Sequence, residues 1–207
     1  MLDPSAIHLF LAAALVLFLI PGPVVLYTVA RTISQGRRAG LVSVLAAAVG
    51  DLTQVLVATA GLAALLASSP LAFGIVRYAG AAYLVYLGVR TWLSRPATAH
   101  APAVEARRLR SIFGQGVVVA VLNPRAALFL LSFLPQFVRP ERGSPALQTL
   151  TLGILFVLLG MLTNSLWVLA SSAATERLAR HGENQRVGAA VAGGVYVALG
   201  LMSAFTG

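Results

Sequence analysis

A chain of 207 residues that is 58% hydrophobic, only 10% charged and +9 in formal charge, with a mean hydropathy of +0.87, carries more apolar surface than a soluble fold of this size can hide. Its apolar runs are long enough to cross a bilayer core, so the sequence describes an all-α integral membrane protein. The basic residues sit in short segments between those runs, as membrane topology and not nucleic-acid binding requires, and the absence of cysteine excludes thiolate metal sites and thiol redox chemistry.

In chain order, six spans are predicted at residues 6–30, 41–66, 71–93, 111–135, 147–172 and 187–205. The first opens on Asp3 instead of a basic segment and runs into Pro21-Gly22-Pro23 without a cleavage site, so it reads as a retained span and not a signal peptide. Arginines mark the first connection (Arg31, Arg37, Arg38), the third (Arg90, Arg95, Arg107, Arg108, Arg110) and the fifth (Arg177, Arg180, Arg186). By the positive-inside rule these face the cytoplasm, and both termini lie outside. The third connection, residues 94–110, is rich in Pro, Ala and Arg and reads as a cytoplasmic linker. It divides a single membrane domain, 1–207, into three-helix halves at 1–93 and 111–207. Two halves with an odd number of spans must insert in opposite directions, which is an inverted-repeat plan.

The first span of each half is interrupted. Pro21-Gly22-Pro23 breaks span one and Asn123-Pro124 breaks span four, and residue counting puts both near one plane. Proline lacks an N–H and clashes with the carbonyl one turn earlier, so backbone groups are freed that hydrocarbon cannot satisfy. One isolated proline suggests only a kink made for packing; two at matching depths suggest a midplane binding site framed by half-helix ends. Asp51 is the only acidic residue inside a span, and Arg125 lies about mid-span beside the second proline. A carboxylate there is costly unless protonated or paired, which makes Asp51 the candidate proton-coupling group. Arg125 is its expected partner when the site is empty, or the fork that holds a substrate carboxylate. Gln54, one turn after Asp51, and Asn164 in span five complete the candidate substrate-binding set of Pro21, Gly22, Pro23, Asp51, Gln54, Asn123, Pro124, Arg125 and Asn164. The two amides serve equally well as interhelical hydrogen bonds. Gly36-x-x-x-Gly40, Ala46-x-x-x-Gly50 and Ala190-x-x-x-Gly194 are small-residue pairs, the first read as part of a loop. Trp167, with Tyr83, Tyr86 and Trp92, reads as packing or interfacial anchoring.

The segments "PGPVVLYTVARTISQGRRAG", "GD", "AAYLVYLG" and "NPRAALFLLSFLPQF", in that order and spacing, resemble the LysE/RhtB family of bacterial amino-acid exporters through essentially the whole chain. The resemblance implies a six-helix exporter in the bacterial inner membrane that moves amino acids or related metabolites outward, coupled to the proton gradient. Alternating access around the midplane site is the mechanism expected of the two broken helices. A membrane enzyme would need a nucleophile–base pair or a metal cluster, and the only histidines, His8, His100 and His181, sit near span ends or in loops, so neither an enzymatic activity nor a cofactor is expected. The resemblance also assigns Pro21, Gly22 and Pro23 to the family's PGP motif, Asp51 to its span-two acidic position, and Asn123 and Pro124 to its NP motif. Arg125 departs from the lysine common after that motif, which keeps the charge but removes an easy deprotonation. An ion or metal transporter would call for more converging carboxylates or histidines than Asp51 alone, and a non-transporting scaffold is the other alternative. Oligomeric state, a homo-oligomer included, stays open.

Overall fold

The computed structural model describes residues 3–68 and 108–180, with side chains over 3–62 and 108–177. The spans predicted at 71–93 and 187–205, most of the linker, the Ala190/Gly194 pair and the anchors Tyr83, Tyr86 and Trp92 lie outside the described residues.

All regular structure among the described residues is helical. Helix α1 runs Pro4–Leu19. Asp3 caps it by accepting a hydrogen bond from the Ser5 amide at 3.1 Å, a bond that spares one of the orphan donors of a helix start. Bonds from Ser5 and the nearby Arg142 guanidinium hold this exposed carboxyl below its ordinary range, and Arg142 reaches it at 3.3 Å. Helix α2 is Pro23–Ser68, broken only at Gly36, whose φ of 81° and ψ of 176° suit glycine alone. Contacts on either side of Gly36 mirror each other. Thr32 meets Gly40, and Val24 clusters with Ala47, so the chain doubles back and α2 is two antiparallel arms. The loop predicted between residues 30 and 41 is therefore replaced by helix on both sides of one glycine. Gly40 is helical and packs on Val168, because a residue without Cβ is what lets the arms and the neighbouring helix approach.

Helix α3 (Leu109–Val121) and helix α4 (Pro124–Phe133) are one span bent by 42°. Two short 3₁₀ turns, Leu134–Phe137 and Pro140–Arg142, lead to helix α5, Pro145–Arg180. By length and composition, the apolar stretch Pro23–Leu62 that holds both arms of α2, the helix Pro145–Arg177 and the bent α3–α4 pair are long and apolar enough to cross a membrane. Their exposed faces carry large aliphatic side chains such as Val57, Leu122, Leu158 and Leu162, as lipid-facing surfaces do.

Small residues bring α2 and α3 together: a Cβ on Gly50 would overlap the Ala120 methyl, and one on Gly116 would lie 2.7 Å from that of Ala46. The predicted Ala46/Gly50 pair thus meets a matching Gly116/Ala120 pair across the interface. Trp167 packs against Val25 and Val29.

Candidate functional site

Both helix interruptions are built alike. In each, the second half-helix begins with proline at its first position, Pro23 in α2 and Pro124 in α4, where the missing N–H is no loss and the fixed φ favours helix. Each also ends a half-helix whose last carbonyls need donors. At the first break the Arg125 guanidinium donates to the Ile20 carbonyl at 2.8 Å. At the second, the Gln54 amide nitrogen reaches the carbonyls of Ala120, Val121 and Asn123 at 2.9–3.1 Å. Asn123 caps α4, its side chain accepting from the Arg125 amide at 3.2 Å.

The Arg125–Ile20 bond also joins the two breaks, and a Cβ on Gly22 would lie 3.2 Å from the Arg125 guanidinium. There the side chain of one broken helix crosses the backbone of the other, and a larger residue at position 22 would require the guanidinium to shift slightly. Between the breaks lies a cavity of about 30 Å³ whose wall includes Gly22, Asp51, Asn123, Arg125 and Asn164. Five of the nine predicted site residues therefore converge. Pro21, Pro23 and Pro124 shape the backbone without lining the cavity, and Gln54 turns aside to cap α3. The volume suits one or two water molecules and is far below the roughly 300 Å³ of a small-molecule pocket, so the polar groups lie close together around a narrow space.

Asp51 is 3% exposed. Asp51 and Arg125 face the same cavity, but of the two roles expected for Arg125 the pairing with Asp51 is not made, and the guanidinium goes to the Ile20 carbonyl instead. Asn164, 2% exposed, donates to the Gly160 carbonyl at 2.9 Å, while its Oδ1 is buried without a hydrogen-bond partner. The cavity thus offers a carboxylate, an acceptor oxygen and a guanidinium, with the N-terminal ends of α2 and α4 contributing positive potential.

Two features beyond these were not anticipated. On one side of the cavity α1 meets α4 and the 3₁₀ turn after it through phenylalanines: Phe10 contacts Phe129, Phe133 and Phe137 at centroid distances of 5.6–6.3 Å, and Phe18 and Phe129 reach Phe156 on α5. On the other side, the first arm of α2 meets α3 through polar groups: Tyr27 donates to the Ile112 carbonyl at 2.7 Å, Arg31 donates to Gln115 at 3.1 Å and stacks on Tyr27 at 5.4 Å. The i, i+4 spacing of Tyr27, Arg31 and Gln35, and of Phe129, Phe133 and Phe137, was the available signal.

Paired interrupted helices around a polar midpoint, in an otherwise apolar helical chain, define a membrane translocator. The match to known sequences is consistent with that class: the LysE type translocator profile covers residues 15–206, and the chain belongs to that family, whose members are transporters and not enzymes. A relative from Vibrio cholerae, described as an uncharacterized membrane protein, is 34% identical over 152 residues, covering 72% of this chain and 73% of its own length. Leucine efflux proteins of Salmonella choleraesuis and Salmonella typhimurium are each 32% identical over 130 residues, or 62% of this chain and 61% of theirs. The matched stretch is thus less than two thirds of the length of those efflux proteins. No solved structure matches.

Proposed function

We propose that the protein exports α-amino acids with apolar side chains across the bacterial inner membrane, coupled to proton entry, by alternating access to the cavity between the two helix breaks. The observation that carries this reading is the meeting of the breaks around Asp51 and Arg125. An amino acid presents a carboxylate and an ammonium group a short distance apart. Arg125 and the half-helix N-termini suit the first, and Asp51 with the unpartnered Asn164 Oδ1 suits the second. Leu17, Phe18, Val24 and Val25 complete the wall and suit an aliphatic side chain, in keeping with relatives named for leucine efflux. Asp51 alternates between a proton and the substrate ammonium, and that exchange is the coupling.

In this reading the chain forms six helices in two inverted halves, with both termini outside and the arginine-marked Gly36 turn in the cytoplasm. The test is a panel of amino acids loaded into vesicles with an imposed pH gradient. Leucine, isoleucine and valine should leave faster than lysine or glutamate, and faster with the gradient than without it. Equal release of every compound, or none, would contradict the proposal.

A further inference from the structure

Resting on that transport reading, we propose that the first arm of α2, residues 23–35, is the moving cytoplasmic gate, latched to α3 by Tyr27, Arg31 and Gln115. The arm is a helical rod of about 20 Å with a backbone break at each end. Residues 20–22 interrupt the helix before it, and Gly36, at φ 81°, interrupts it after. A segment bounded in this way can swing as a unit, because the two breaks absorb the backbone change and its internal hydrogen bonds are kept. Among the described residues, α3 is broken only at its cavity end, at residues 122–123, and α5 runs without a break over Pro145–Arg180, so neither is bounded at both ends as this arm is.

The contacts of the arm differ by face. Towards α5 it presents Val25 and Val29 against Trp167, an apolar contact that tolerates small sliding. Towards α3 it is held by discrete polar bonds, Tyr27 to the Ile112 carbonyl and Arg31 to Gln115, backed by the Arg31–Tyr27 stack. Ile112 is fully buried and Arg31 is 6% exposed, so the latch seals the way between cytoplasm and cavity. Opening it replaces those bonds with bonds to water, an exchange close to balanced. The opposite side of the cavity has no such option. Parting Phe10 from Phe129, Phe133 and Phe137 would wet an aromatic surface, which is opposed by the hydrophobic effect. The two seals are therefore chemically unlike. The polar one yields to the cytoplasm while the phenylalanine wall stays shut.

Because the chain has no cysteine, one reporter reads this directly. Ala126 lines the cavity and is 2% exposed; Ala126→Cys is labelled with a membrane-impermeant maleimide from either face of oriented vesicles. Labelling follows the population of the open state. Adding Gln115→Leu should raise the rate from the cytoplasmic face by about tenfold, with no rise from the outer face. Adding Gln115→Glu, which turns the Arg31–Gln115 bond into a charge-assisted one, should lower it. An unchanged cytoplasmic rate with Gln115→Leu, or an equal rise from both faces, overturns the gate; should that variant fail to insert, the Gln115→Glu rate decides alone. Labelling needs no substrate, so failure of the amino-acid panel would sink the transport reading and leave this measurement to stand independently.

Discussion

Arg125 and Gln54 show how a single side chain makes a broken membrane helix tolerable. A half-helix ending inside hydrocarbon leaves carbonyls that water cannot reach. Arg125 supplies a donor to Ile20, and Gln54 supplies one nitrogen to three carbonyls. For Gln54→Leu, similar in size but without a donor, those carbonyls lose their partner, and a loss of about 1–3 kcal/mol is expected from the unmade bonds. Thermal unfolding in detergent would register it, and an unchanged midpoint would show that another group caps α3. Asp51 and Arg125 were identifiable from sequence because charge is so rare in this chain that any ionisable residue at mid-span draws notice. That Gln54 serves the backbone while Asp51, one turn earlier, faces the cavity was not legible. The two directions differ by the small angle between positions i and i+3, and that is resolved only when the neighbouring helix is in place.

At the level of elements, proline spacing located both interruptions because the physics is local: a ring that cannot donate ends a helix wherever it stands. The Gly36 turn was harder to read. Residues 31–40 carry the polarity of a loop, yet helix persists on both sides of one glycine, since three exposed polar positions cost little in a helix and only φ requires glycine. The α2–α3 contact depends on a different property of small residues. Gly50 lies against Ala120, and Ala46 against Gly116, with no space for a larger group. Gly50→Ala should separate the helices and cost about 1–3 kcal/mol, and adding Ala120→Gly, which removes the methyl but leaves the α3 backbone as close, should restore part of the loss, because contacting sites are coupled. Unfolding midpoints of the two single variants and the double variant test this; strict additivity would mean that the contact is looser than the structure shows.

For the whole molecule, composition marked a membrane protein, the order of the motifs marked the family, and depth singled out the candidate site. Counting residues put both breaks near one plane, and the structure joins them through Arg125 and Ile20. What counting could not supply was the chemistry on each side of that plane. The phenylalanine wall and the Tyr27–Arg31–Gln115 bonds each arise from residues about eighty or more positions apart, and such pairs are invisible until the chain is folded. The most direct test of the central claim is proton-driven amino-acid efflux from vesicles carrying Asp51→Asn, with insertion verified against the unsubstituted protein. Efflux should fall by at least about tenfold, equivalent to some 1.4 kcal/mol of lost coupling, while the protein remains in the membrane. Efflux at the unsubstituted rate would contradict a transport site at the meeting of the two broken helices.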